Sequence, residues 1–195
     1  MGGYHSAEEV RDEEGRQYHI GLAPGEVARR ILLVGDPARA RRVAEMFDEV
    51  KLERSNREYV TLTGIWQGLE MSVMATGMGC DNVEIAVIEL SQLVEDPIFI
   101  RAGSSGGLQE EMELGDLVVS TGAVRMENVS TFFVPEGYPA VAHHEVILAL
   151  LMSIQELGYP HHLGLTATGS GFYGAQGRTA GGFVPLYPEL PDKLR

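Results

Sequence analysis

The sequence predicts an α/β fold, and three observations carry that expectation. Short apolar runs alternate with segments of helical periodicity, glycine-containing loops follow several of those runs, and the composition is that of a globular protein. Apolar residues make up 44% and charged residues 22% of the 195 residues, far from disordered or collagenous compositions. A chain of this length is expected to form one domain with its own core.

Residues 1–17 are charged and aperiodic and read as an N-terminal arm that packs late or not at all, so the core is expected to begin near His19. Ile31-Leu32-Leu33-Val34 reads as a buried strand ending at Gly35-Asp36-Pro37, and residues 38–47 carry a helical pattern with Val43, Met46 and Phe47 on one side. Residues 59–66 and 69–75 are β-rich and separated by Gln67-Gly68, a spacing suited to a hairpin. Thr76-Gly77-Met78-Gly79 then leads to Asp81 or Asn82 as helix N-cap, and Val83, Ala86, Val87, Leu90 and Val94 repeat at helical spacing until Pro97. A short strand over 98–100 delivers Arg101-Ala102-Gly103-Ser104-Ser105-Gly106-Gly107 at its C-terminal end. A strand over 117–124 follows the Gly115-Asp116 turn, and 144–157 is an apolar helix closed by Gly158 and Pro160. A last strand over 162–168 leads into the glycine-rich stretch 169–182, and the proline-containing residues 185–195 read as a loop.

The net charge of −13 repels nucleic-acid phosphates and anionic lipid, so neither polymer nor membrane is the expected partner, and a small anionic substrate would need local arginines. The single cysteine, Cys80, cannot form an internal disulfide, which fits a reducing cytoplasm; it is expected to be a small buried or interface residue without chemistry. No apolar run is long enough to span a bilayer, and residues 1–16 are not signal-like. No metal-ligand spacing is present: His143-His144 and His161-His162 are adjacent pairs that share no face of a helix or strand, and solvent or capping roles are expected of them.

Arginines accompany three of the loops: Arg39 after Gly35-Asp36-Pro37, Arg57 within Ser55-Asn56-Arg57-Glu58, and Arg101 before Gly103-Ser104-Ser105-Gly106. The guanidinium fork suits phosphate, and glycine-rich turns with a serine hydroxyl let backbone N–H groups reach the same oxygens. Each arginine taken alone is equally served by a surface ion pair, and each glycine by a turn.

Gly35-Asp36-Pro37-Ala38-Arg39, Ser55-Asn56-Arg57-Glu58-Tyr59, Thr76-Gly77-Met78-Gly79 and Arg101-Ala102-Gly103-Ser104-Ser105-Gly106 stand in the order and spacing of the nucleoside phosphorylase family, and the chain resembles that family, in its uridine phosphorylase type, from His19 to Arg178. The resemblance implies a three-layer α/β/α fold with a mixed central sheet over residues 18–195. It further implies that Gly35, Arg39, Arg101 and Ser104 hold inorganic phosphate as co-substrate, with Arg57 reaching it from the neighbouring subunit. His19 would cross the same interface to the ribose 5′-hydroxyl, with Ser104 also on the ribose side. Ser105, Gly106, Phe172, Gln176 and Arg178 would hold the base, the last three in a segment similar to the uridine-type Phe-Tyr-x-Gly-Gln-x-Arg pattern. That segment differs at Gly174 and Ala175, and Gly177 is expected to add flexibility. Glu58, Met78 and Asn82 lie where some relatives hold a monovalent cation; no other cofactor is implied.

The implied reaction is reversible phosphorolysis of a nucleoside, with uridine as the expected substrate and Arg39, Arg57 and Arg101 as catalytic groups. A purine-acting phosphorylase, a nucleosidase of the same fold and an inactive nucleoside or phosphate binder are the alternatives. The family implies a cytoplasmic homo-oligomer, a dimer within a hexamer. Its members continue beyond the last matched motif with a Glu-Met-Glu-type segment that grips the ribose, so the chain is expected to be incomplete at its C-terminus.

Overall fold

Ile31-Leu32-Leu33-Val34 is apolar at every position and can be covered on both sides only as an inner strand. In the computed structural model, which describes residues 10–195, it is the body of β1 (Arg30–Val34). The chain divides into two units, one ending at Ser104 and the other running from Ser105 to Arg195.

In the first unit β1 lies between two parallel neighbours, β4 (Leu69–Ala75) and β5 (Ile98–Ala102). The antiparallel strands β2 (Glu49–Asn56) and β3 (Tyr59–Trp66) extend the sheet, giving the order β2-β3-β4-β1-β5. Side-chain alternation divides the apolar residues between the two faces. Ile31, Leu33, Tyr59 and Met74 pack with Ala86 and Leu90 of α2 (Cys80–Ser91), joined by Ile20, Leu22 and Val27. Val34, Val60, Leu62, Val73 and Ala75 pack on the other face with Ala40 and Ala44 of α1 (Pro37–Ala44). One helical layer on each face of a mixed sheet is the expected three-layer arrangement.

Local chemistry explains the boundaries. Asp36 caps α1 by accepting a 2.9 Å hydrogen bond from the Ala38 N–H, and Pro37 opens the helix. The helix stops at Ala44 rather than at 47: the Met46 and Phe47 N–H groups turn back to the Val43 and Ala44 carbonyls, and Met46 is exposed. The N-cap of α2 is Gly79 (φ 101°), not Asp81 or Asn82, and the helix ends at Ser91, well before Pro97. The Gln67-Gly68 hairpin turn is as expected, with both residues at positive φ. Strand β2 was not legible in the sequence, because it is an edge strand of largely polar and charged residues in which only Val50 and Leu52 alternate as apolar positions. The N-terminal arm is not loose throughout: Arg11 bridges to Gln17, which is buried, while residues 1–9 lie outside the described residues.

The second unit holds a three-stranded sheet in which β6 (Leu117–Met126) pairs parallel with β8 (His161–Gly169) and antiparallel with β7 (Ala140–Val141). Helix α3 (His144–Leu157) packs on β6 and ends at left-handed Gly158 (φ 72°), as the sequence predicts. A short helix, α4 (Leu190–Lys193), closes the described chain, where the sequence suggested a loop. Among the described residues no helix is long and apolar enough to cross a membrane.

Gly64 of β3 faces the irregularity in its pairing with β2: a Cβ there would lie 2.1 Å from the Glu49 carbonyl oxygen and 2.6 Å from the Phe47 ring. Gly64→Ala is expected to destabilise the first unit by about 1–3 kcal/mol. Gly137→Ala, with open space around its Cβ, should stay within about 0.5 kcal/mol of the parent. Urea unfolding of both variants checks this.

Candidate functional site

Strands β1, β4 and β5 are parallel, so the loops that follow them, at Gly35, at Thr76-Gly77 and at Gly103-Ser104, leave the sheet at one end. The β2–β3 turn reaches the same end, because Asn56 pairs with Tyr59 and Val60 with Ala75. Arg57 sits in that turn at φ 51°, and Arg39 lies in the first turn of α1, which starts beside Gly35. The topology therefore brings Gly35, Arg39, Arg57, Arg101 and Ser104 to one rim of the first unit. A Cβ on Gly103 would lie 2.5 Å from Nη1 of Arg101, so the guanidinium folds across its own loop, a close approach that glycine permits.

Arg39, Arg57 and Arg101 are all exposed, and among the described residues none of them is ion-paired to a carboxylate. Acidic residues outnumber basic ones 28 to 15 in this chain, so the surface ion-pair reading of these arginines is not what the structure contains. Arg39 also stands at a helix N-terminus, where the macrodipole disfavours a cation and the Asp36 cap is the acid that offsets it. An anion at this rim would pair with these guanidinium groups and suits the helix N-terminus as well.

A second cluster joins His19 to Arg57. The Arg57 guanidinium lies over the Tyr18 ring at 4.9 Å, and the same ring meets the His19 imidazole edge-on at 4.9 Å. Asn56 donates its side-chain amide to the carbonyls of Tyr18 and His19 at 3.0 and 2.8 Å. From the other side the buried Glu89 carboxylate accepts the Ile20 N–H at 2.9 Å and the His19 N–H at 3.2 Å, and lies 2.5 Å from Nδ1 of His19. Upstream, Glu26 accepts bonds from Arg16 at 2.7 Å, from Arg54 at 2.8 Å and from the Ala23 N–H at 2.9 Å. Burial opposes ionisation of Glu26, but these bonds outweigh it and hold its carboxyl below the ordinary value.

Of the three cation candidates, Glu58 and Asn82 flank Gly77. A Cβ on that left-handed glycine (φ 75°) would lie 3.1 Å from Nδ2 of Asn82 and 3.3 Å from Cγ of Glu58, whereas the Met78 side chain is almost wholly exposed. The Asn82 carbonyl accepts the Tyr59 hydroxyl at 3.0 Å, and burial, aided by Glu58, Glu89 and Glu84, pushes that phenol up to about 12. Among the described residues no group of three or more His, Cys, Asp or Glu side chains is gathered as for a metal ion.

The base-binding candidates belong to the second unit. Ser105 and Gly106 are exposed at its start. Phe172, Gln176 and Arg178 come together: the Arg178 guanidinium lies 4.8 Å over the Phe172 ring, and its Nε donates to Oε1 of Gln176 at 2.8 Å. Gly177 tightens this segment rather than loosening it. It is left-handed (φ 64°), and a Cβ there would lie 2.5 Å from the Pro188 carbonyl oxygen. Of the histidine pairs, His162 bonds Asp116 at 2.8 Å, and His143 stacks on His144 without a side-chain cap bond.

Sequence reasoning missed Tyr18, Asn56 and Glu89. Glu89 had a signal: a lone acid among Ala86 and Leu90 on the apolar stripe of α2 needs a buried partner. Tyr18 and Asn56 had none.

With this sheet and its arginine-bearing rim described, the comparisons with known proteins give the family. The family model of the Phosphorylase superfamily matches residues 29–191, and the chain belongs to that superfamily. Within it, the chain is 44% identical over 192 residues to the uridine phosphorylase of Thermococcus kodakarensis, covering 97% of this chain and 69% of that protein. Its fold matches the crystal structure of a Trypanosoma brucei nucleoside phosphorylase with a TM-score of 0.86 at 24% identity, covering 95% of this chain and 77% of the other. A Toxoplasma gondii purine nucleoside phosphorylase, solved with immucillin-H, matches with a TM-score of 0.81 at 32% identity, covering 94% and 71%.

Because the folded Glu26 carboxyl lies below its ordinary value of 4.5, its contribution to stability is present above that value and fades as pH falls through it. Urea unfolding of the parent chain and Glu26→Gln between about pH 6 and pH 3 should show the parent more stable at the upper end and the difference shrinking toward the lower.

Proposed function

We propose that this chain catalyses the reversible phosphorolysis of a pyrimidine nucleoside, uridine, to free base and ribose 1-phosphate. The observation that carries the reading is the rim of three exposed, unpaired arginines beside glycine loops in a strongly acidic protein. The likeness to a uridine phosphorylase supports the choice of base.

In this reading phosphate rests among Gly35, Arg39, Arg57, Arg101 and Ser104. One of its oxygens attacks C1′ of the ribose, the glycosidic C–N bond breaks with its electron pair leaving on the base, and the base takes up a proton. The sugar becomes cationic in the transition state, so the held phosphate is both nucleophile and countercharge. Gln176 and Arg178 match the carbonyl and N3 edge of uracil, Arg178 also steadies negative charge on the departing base, Phe172 packs against the nucleoside, and Ser105 and Gly106 line the base side. His19 and Ser104 take the ribose. Arg57 and His19 serve the neighbouring subunit of a dimer within a hexamer, and Tyr18, touching both, ties their positions together. A monovalent cation at Glu58, Met78 and Asn82, a cytoplasmic location and a single phosphorylase domain over residues 18–195 complete the proposal. The family match runs across both units without a break, which supports the last point.

Uracil release from uridine by the purified chain is expected only when inorganic phosphate is present; release without phosphate would identify a nucleosidase instead. Arg101→Ala should raise the KM for phosphate about tenfold to a hundredfold, as loss of a charged hydrogen bond does, and change the KM for uridine less than about threefold. Equal losses in both would count against the phosphate role. Arg178→Ala should lower the preference for uridine over inosine, as a ratio of kcat/KM values, by about tenfold or more.

A further inference from the structure

The proposed reaction leaves unused the one buried carboxylate among the described residues of the first unit. Glu89 lies on the apolar stripe of α2 and is 8% exposed. A carboxylate in such a place is tolerated only when its oxygens are bonded, and both are: the backbone N–H groups of His19 and Ile20 point at them. Those two backbone bonds are enough to tie the segment to the helix. The third contact, from Oε1 to Nδ1 of His19 at 2.5 Å, adds nothing to that task and acts on the ring.

We propose that Glu89 is a positioning residue for His19, holding the imidazole with its proton on Nδ1 so that Nε2 presents its lone pair to the 5′-hydroxyl of a bound nucleoside. A carboxylate can only accept here, so the ring nitrogen facing it must donate, and the neutral ring then carries its acceptor on the opposite side. Among the described residues Nε2 has no hydrogen-bond partner, and the His19 side chain is 37% exposed. The segment around the ring is immobilised from several directions. Gln17 bonds Gln92 at 3.2 Å, Asn56 holds the Tyr18 and His19 carbonyls, and Tyr18 is covered by Arg57. Fixing the ring in advance removes the ordering cost of choosing a rotamer and a tautomer when the sugar arrives. The inference rests on the phosphorolysis reading and on the sugar role of His19.

Two arms test it on the full chain. Nitrogen-15 spectra of histidine-labelled protein in alkaline buffer, with the His19 signals assigned by their loss in His19→Gln, should show the proton on Nδ1. A neutral ring protonated mainly on Nε2 overturns the proposal without any variant of Glu89 or any turnover. The second arm compares phosphate-dependent cleavage of uridine and 5′-deoxyuridine. Glu89→Gln should raise the KM for uridine about tenfold with little change in kcat, as loss of one hydrogen bond does. It should leave 5′-deoxyuridine unaffected and add nothing further in a His19→Ala background. Equal losses on both substrates, or losses that add in the double variant, would mean that Glu89 only supports the fold. If the wild-type chain releases no uracil, the phosphorolysis reading falls. Calorimetric binding of the two nucleosides then replaces turnover: tighter uridine binding that depends on Glu89 supports the inference, and equal binding of both overturns it.

Discussion

Parallel pairing of β1 with β4 and β5 is the constraint on which the first unit depends. Strands that run the same way end at the same edge, so the chain must cross back over the sheet between them, and each crossing leaves a loop at one rim. Glycines at Gly35, Gly77 and Gly103 let those loops stay tight; the first and last adjoin Arg39 and Arg101, whereas Gly77 lies between Glu58 and Asn82. The antiparallel β2–β3 pair adds Arg57 from the other side of the sheet without any crossover, because a hairpin returns to the end it left. Four separate segments of sequence are thereby delivered to one edge by backbone hydrogen bonding alone.

Electrostatics gives that rim its character. The protein carries a formal charge of −13, so its long-range field repels anions, and only local cations can hold one. Some arginines elsewhere in the unit, though not all, are spent on carboxylates: Arg16 and Arg54 on Glu26, Arg41 on Glu53. Arg39, Arg57 and Arg101 are not. What distinguishes these three is position: the sheet topology places all of them beside glycine loops at one rim.

The segment 16–26 shows how a stretch without helix or strand becomes part of the core. Its order comes from two carboxylates, one partly buried and one buried. Glu26 gathers two arginines and a backbone amide, and Glu89 gathers two backbone amides and an imidazole. Each carboxylate replaces its lost water with donors from a segment that has few other anchors, while Ile20, Leu22 and Val27 supply the apolar contact beneath.

Elements with strong periodicity were legible from the sequence alone: β1, the β3–β4 hairpin, and α3 with its Gly158 stop all follow from apolar spacing and turn chemistry, which are local properties. The four motifs that mark the superfamily were legible for a related reason, since each is a short stretch whose residues serve one loop. Three things were decided only by the tertiary structure. Strand β2 exists because β3 offers it an edge, since Val50 and Leu52 are its only apolar residues. Gly177 is held tight because the Pro188 carbonyl occupies the space of its side chain. Tyr18, Asn56 and Glu89 meet His19 and Arg57 although contacting residues lie as far apart in the chain as His19 and Glu89, 70 positions. Hydrogen bonds between distant segments depend on where the backbone has been carried, and that is a property of the packed sheet and helices rather than of any window of sequence.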